Sequence, residues 1–460
     1  MLNSGLKKGQ YCKRGWSCKR ELELIDNPLI TTAPIGYIPN MYFLLAIIGA
    51  ATGAFVNACI CRLGEEKSKA TPWTTPPDGI QRQALHYVPL LGWWYRRDEA
   101  QTLGNRFWLR PFAIELTWLI GLPYFYHWIY SNALTGGIPA PVPWQTAWFI
   151  GHSILFALLF IATFIDFDQK IIPDWITVPG TLIALLIAAI EPGFRLPKIA
   201  TNLVGSTIES IHFADGANLP TWHHEIGGLV IAILILMIWA VALLPKYPLV
   251  ELNLHGLKLV FVSTARLLRH NGLKGRAKAV RMGRTFLTIG VIGSILLAVG
   301  WSVLPPAHWT SLFGATFGLA LGGLSIWLVR IVASHSLGQE AMGFGDVTLM
   351  AMIGAFLGWQ AAFVTFAISP FAALAIAVVS VVLTGNNKLA FGPYLCFGAM
   401  LSIFSWSYLW PRLLPQFFAF PKILMAVLAM SLVMLMAMLL VVRFLKGGFA
   451  DEESDEDEQA

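Results

Sequence analysis

Apolar stretches long enough to cross a lipid bilayer recur along this chain, among them 42–60, 226–244, 285–304, 361–384 and 422–443. Each reaches roughly the 20 residues that a helical span requires. Lipid is therefore the main solvent, because backbone polar groups inside hydrocarbon are satisfied only within helices or closed barrels. Charged residues make up 13% of the 460, against about 25% in a soluble protein. A single span, or a cleavable signal ahead of a soluble domain, is excluded. The first forty residues are polar or mixed, with no short apolar core and cleavage site.

The apolar periodicity predicts an all-α, polytopic helical membrane protein of about 11 transmembrane helices. They are placed at 42–60, 112–129, 146–165, 175–191, 226–244, 285–304, 313–332, 346–358, 361–384, 392–409 and 422–443. The organisation read from this pattern is a polar tail at 1–40, a first span at 41–63 and a loop at 64–111. A membrane segment at 112–191 follows, then 192–312 with two spans and a basic loop, a second membrane core at 313–445, and a disordered acidic tail at 446–460.

Basic residues set the orientation. The 61–111 loop holds Arg62, Lys67, Lys69, Arg82, Arg96, Arg97, Arg106 and Arg110, which places it in the cytoplasm. Counting crossings from there puts the basic 245–284 loop on the same side, together with 166–174, 333–346 and 385–391. The formal charge of +6 is lowered by seven acids after Ala450; without them, 19 acidic residues face 32 basic ones, a net of +13. Such a basic membrane body fits cytoplasmic loops and membrane lipid, not nucleic acid. The basic N-terminal tail breaks the scheme; either it escapes the rule or translation begins at Met41, and the second reading is favoured.

Cys12, Cys18, Cys59, Cys61 and Cys396 form no C-x-x-C pair, so no zinc knuckle or disulfide framework is expected. Trp222, His223, His224 and Glu225 lack the i, i+4 histidine spacing of helical metal sites and are read as structural.

Two acids end up at cytoplasmic ends of spans: Asp166 in F-I-D-F-D-Q-K-I-I-P-D and Asp346 in A-M-G-F-G-D-V-T-L-M. Acids kept at membrane depth usually face a cavity or one another. A pair of neighbouring carboxyls tends to hold one proton between them, which supplies a base and an acid for hydrolysis. Gly343 and Gly345 would let the backbone bend and a neighbouring helix approach; the plain alternative makes Asp346 an N-cap. Asp174 after Pro173 also fits an N-cap. Asp168 and Lys170 either tune the field around Asp166 or belong to a solvated loop.

These blocks resemble the type IV prepilin peptidases, intramembrane aspartic proteases of the G-x-G-D kind. The resemblance runs through 49–63 (Gly49, Gly53, Phe55, Asn57 and Arg62), V-P-L-L-G-W at 88–93, R-P-F-A-I-E at 110–115, Asp166 eight residues before Asp174, M-G-F-G-D-V-T-L, and F-G-P-Y-L at 391–395. It implies Asp166 and Asp346 as catalytic residues, with Gly343, Gly345, Asp168, Lys170 and Asp174 in support. Arg110 and Glu115 are implied in a loop function. It further implies removal of leaders from prepilin or pseudopilin precursors at the bacterial inner membrane.

Proteolysis by two aspartates needs no cofactor. Many family members carry two C-x-x-C pairs in the first loop, whereas 64–110 here has no cysteine, so no metal, and in particular no zinc, is expected. N-methylation with S-adenosylmethionine is left open by the resemblance. The segment 192–312 has no counterpart in the family pattern and is read as an insertion. An ion-coupled transporter and a non-catalytic component of a pilus or secretion machine are the alternatives.

Overall fold

The computed structural model describes residues 39–63, 81–96, 99, 103, 104, 106–202, 205–210, 221–244, 272–337, 342–384 and 391–412, with 414, 415, 426, 429, 430, 433 and 436. The polar tail, most of the 245–284 basic loop, nearly all of the expected 422–443 span and the acidic tail lie outside these residues.

The helices are α1 (Pro39–Leu63), the short α2 (Leu91–Tyr95), α3 (Leu109–Tyr130), α4 (Val142–Gln169), α5 (Asp174–Ile190), α6 (Ile226–Ala242), α7 (Gly272–Val303), α8 (Pro306–Leu337), α9 (Phe344–Leu357), α10 (Trp359–Thr384), α11 (Gly392–Phe404) and α12 (Trp406–Arg412). Asn40–Leu63, Val142–Gln169, Arg281–Val303 and Pro306–Ser336 are long and apolar enough to cross a bilayer. Shorter apolar helices include Asp174–Ile190, Ile226–Ala242, Phe344–Leu357 and Gly392–Phe404. The chain is an all-α, multi-pass membrane protein.

Two features depart from the periodicity. The expected 392–409 span is two helices, α11 and α12, broken at Ser405. Its hydroxyl bonds back to the Leu401 carbonyl at 2.5 Å, a local bond that competes with helix continuation. Inside the expected insertion, β1 (Pro197–Asn202) and β2 (Gly205–Ser210) pair antiparallel, with Ile199 opposite Ile208. The hairpin is too short for the helical window that exposes spans.

Packing at the centre is set by backbone contact. Gly318 of α8 and Gly354 of α9 lie against each other's carbonyls, where either Cβ would collide with backbone. Gly322 stands one turn beyond Gly318, so the small-xxx-small spacing brings the two helices together, as is common where helices meet in lipid. α9 is almost wholly buried. Gly358, at φ +85°, then turns the chain sharply into α10. The spans of the expected insertion, α6 and α7, pack on each other, with Gly290 and Gly293 of α7 against Ala240 and Leu236.

The bundle has two chemically distinct ends. At one, indoles bind loop carbonyls: Trp148 Nε1 donates to Arg195 O (2.9 Å), Trp309 to His223 O (2.8 Å), Trp301 to His224 O (3.1 Å) and Trp406 to Pro197 O (2.8 Å). At the other lie the C-terminal ends of α4 and α8 and the N-terminal ends of α9 and α11, where the acidic motifs sit.

Candidate active site

Asp166 is positioned by the last turns of α4. That helix stops at Lys170, a non-glycine residue held at φ +57° whose N–H closes on the Asp166 carbonyl at 3.0 Å. The Asp166 side chain is 5% exposed and accepts the Gly392 amide on Oδ2 at 3.1 Å. Gly392 opens α11, and a Cβ there would stand 2.6 Å from Asp166 Oδ2 and 2.8 Å from Ile172 Cδ1. The absent side chain thus lets a helix N-terminus, with its partial positive charge, reach the carboxylate.

Asp346 sits in the first turn of α9 and is 7% exposed. The N-cap is Gly343, in extended backbone, so Asp346 is not the cap. Gly343 has an ordinary φ of −67° and 3.9 Å of room at its Cβ position; the close approach expected of both motif glycines belongs to Gly345 alone. A Cβ on Gly345 would lie 2.9 Å from Ile172 Cβ and 3.0 Å from Ile172 O. Ile172 therefore touches both Gly345 and Gly392 and holds the two acid-bearing segments together. Asp166 and Asp346 stand near enough for their charges to act on each other.

Sequence reasoning overlooked two neighbours. The buried Cys396 lies one turn beyond Gly392 on α11; its place in the F-G-P-Y-L-C run was the available signal. Arg330 of α8 is 6% exposed, and its Nε donates to Met342 O at 2.8 Å. A lone arginine in an apolar span is such a signal too.

The remaining residues fall into outer positions. Asp168 turns away to accept Arg110 Nη1 on both oxygens, at 2.7 and 2.9 Å, in an exposed pair. Arg110 also lies 4.7 Å over the Phe164 ring. Lys170 is exposed, its Nζ 5.7 Å from the Phe167 ring. Asp174 is the first residue of α5, with Pro173 as the N-cap: proline's fixed φ suits the residue that enters the helix, so the acid sits one place further in than an N-cap.

The model of the type IV leader peptidase family matches residues 284–378. Over that stretch the chain is similar to the type IV leader peptidase family. It is 38% identical over 99 residues to the prepilin leader peptidase/N-methyltransferase of Pectobacterium carotovorum subsp. carotovorum, covering 20% of this chain and 34% of that protein. It is 31% identical over 177 residues to that of Stutzerimonas stutzeri, covering 35% and 57%. With that of Pseudomonas aeruginosa it shares 29% over 177 residues, 34% and 58%. The chain thus spans from about a third to under three fifths of the length of these relatives. No solved structure matches it.

The matched region includes Gly343, Gly345, Asp346 and Arg330, while Asp166 precedes it. The match opens at Arg284, inside the segment 192–312 that the sequence pattern assigned to an insertion. Most of α7 is therefore part of the family-like region. None of these relatives is a transporter.

Glu115 lies apart from the two aspartates, in the first loop's contacts with α1 and α3. It is 2% exposed and accepts Asn57 Nδ2 (3.1 Å), Leu90 N (2.6 Å) and Trp93 Nε1 (2.9 Å), which ties the first loop to α1 and α3. Beside it, Arg82 and Arg96 both bond Glu99, with Arg96 4.8 Å over the Trp93 ring. Burial alone would raise the Glu99 carboxyl, but the bonds and charges of Arg96 and Arg82 outweigh it and hold it down at about 2. Among the described residues no three His, Cys, Asp or Glu side chains converge as metal ligands.

Proposed function

We propose that this chain is an intramembrane aspartic endopeptidase that removes the leader from prepilin-like or pseudopilin precursors at the cytoplasmic boundary of the bacterial inner membrane. What supports the reading is that Asp166 and Asp346, from separate helices, are both buried at one end of the bundle, where Ile172, six residues beyond Asp166, packs against Gly345 beside Asp346. Asp166, with the Gly392 N–H on its oxygen, is suited to be the ionised member, because a donor stabilises a carboxylate. Asp166 takes a proton from water as the water oxygen bonds the scissile carbonyl carbon. Asp346 keeps its proton, hydrogen-bonds the carbonyl oxygen, and passes the proton to the amine nitrogen as the C–N bond breaks.

No cofactor is needed for these steps. The relatives carry both leader peptidase and N-methyltransferase in their names; methylation by this chain would draw its methyl group from S-adenosylmethionine. The test is to express Asp166→Asn and Asp346→Asn separately with a pilin-like substrate and weigh the mature N-terminus. Each change is expected to lower cleavage on the order of 10⁴-fold, as when one member of a catalytic unit is removed. Undiminished processing by either variant at normal protein level would overturn the assignment, and a methyl increment on the product reports transfer separately.

A further inference from the structure

The turn that presents Asp346 is gripped from outside its own helix. Arg330 of α8 donates from Nε to the Met342 carbonyl at 2.8 Å, and its guanidinium carbon lies 5.6 Å over the Phe344 ring. Met342 and Phe344 flank Gly343, the N-cap of α9, so one side chain holds both sides of the residue where that helix begins. A buried guanidinium is expensive unless its bonds and charge are answered, and the Met342 carbonyl and the Phe344 ring supply part of that answer.

The two acids are therefore served differently. Asp166 receives a backbone N–H from Gly392. No hydrogen bond to the Asp346 carboxyl is found among the described residues; the Arg330 charge reaches it through the field alone. A fixed cation stabilises a carboxylate more than a carboxyl. On the proposed reaction, that difference matters at the moment Asp346 gives its proton to the departing amine and becomes negative, and it acts more strongly where water is excluded.

We propose that Arg330 is a positioning residue for peptide cleavage, locking the turn that carries Asp346 onto α8 and setting a positive charge beside that carboxyl. This rests on the reading of Asp166 and Asp346 as the reacting pair. The charged groups that face Asp346 among the described residues are Asp166 on α4 and Arg330 on α8, with Lys170 acting on Asp166.

The test uses the full chain in membranes with a synthetic pilin-like substrate and compares Arg330→Gln, Arg330→Lys and Asp346→Asn. Arg330→Gln is expected to lower kcat on the order of 100-fold, the scale of a misplaced reacting group, while KM stays within about twofold because uniform binding is untouched. Arg330→Lys keeps the charge without the planar fork and is expected to recover about tenfold of that loss. Wild-type kcat in Arg330→Gln overturns the proposal, and so does an equal loss in the Lys and Gln variants. Where Arg330→Gln does not accumulate, Arg330→Lys decides: kcat within about tenfold of wild type supports the proposal and a larger loss overturns it. Asp346→Asn separates the two levels, since undiminished cleavage there removes the peptidase reading itself, whereas its inactivity beside a normal Arg330→Gln removes only the role of Arg330.

Discussion

The two ends of the bundle solve the same physical problem in opposite ways. In the segments after α5 and before α6, backbone carbonyls are each answered by a tryptophan: Trp148, Trp309, Trp301 and Trp406 bind Arg195, His223, His224 and Pro197. Indoles suit the boundary between lipid and water because one edge is polar and the rest apolar. Where α4, α9 and α11 converge, two carboxyls are buried with few partners, and glycines rather than large side chains make the contacts. One end answers these four carbonyls with indole N–H groups; the other buries two acids. That contrast supports the second end as the candidate site, since buried, sparsely paired acids gather at functional sites.

The sharpest way to break the contrast is to fill the space at the acidic end. Gly392→Ala adds a Cβ 2.6 Å from Asp166 Oδ2 and must push the carboxylate off the amide. The expected outcome is a fall in kcat on the order of 100-fold, as for a reacting group moved by about an ångström. KM and membrane level should stay close to normal. Cleavage assays on purified variant settle this, and full activity would mean that the Gly392 contact has no part in catalysis.

The opposite end should respond in stability and not in rate. Trp309 is 2% exposed, and Trp309→Phe removes the N–H that satisfies His223 O. An orphaned buried acceptor costs about 1–3 kcal/mol, to be read as a lower Tm in detergent with kcat per folded molecule unchanged. A variant that lost cleavage at an unchanged Tm would erase the distinction between the ends.

What the sequence revealed follows the same division. The acids were legible because a charged residue in an apolar run is costly and so stands out, and the helices around them follow from periodicity. Arg110 with Asp168 could be nominated singly but not paired, because 58 residues separate them and no local rule joins them. Gly343 and Gly345 look equivalent in the motif, yet only Gly345 meets Ile172, since Gly343 is the extended N-cap and Gly345 lies in the first turn of α9. The Gly392 N–H could not be read at all: a backbone donor has no letter in the sequence, and its partner lies 226 positions away. The 197–210 hairpin was missed because alternation over so few residues is hidden beside longer apolar windows.

The first loop provides the finest test, because its charges are buried like those of the acids but fully paired. Arg82 and Arg96 hold Glu99 ionised with a carboxyl lowered to about 2. A carboxyl depressed by folding adds stability that is complete above its unfolded pKa of about 4.3. That stability drains away as the pH falls through the folded value near 2. Between these limits the 81–99 segment should lose its hold before the helices do, which pepsin digestion across pH 4 to 2 would report as early cuts confined to that loop. The loop is tied to α1 and α3 through Glu115, not through the aspartates. Return to neutral pH should therefore restore cleavage with only a small change in rate. Loss of activity that persists after the loop has re-formed would show that its charge cluster and the aspartate pair are coupled, and that the acidic end extends further than its contacts indicate.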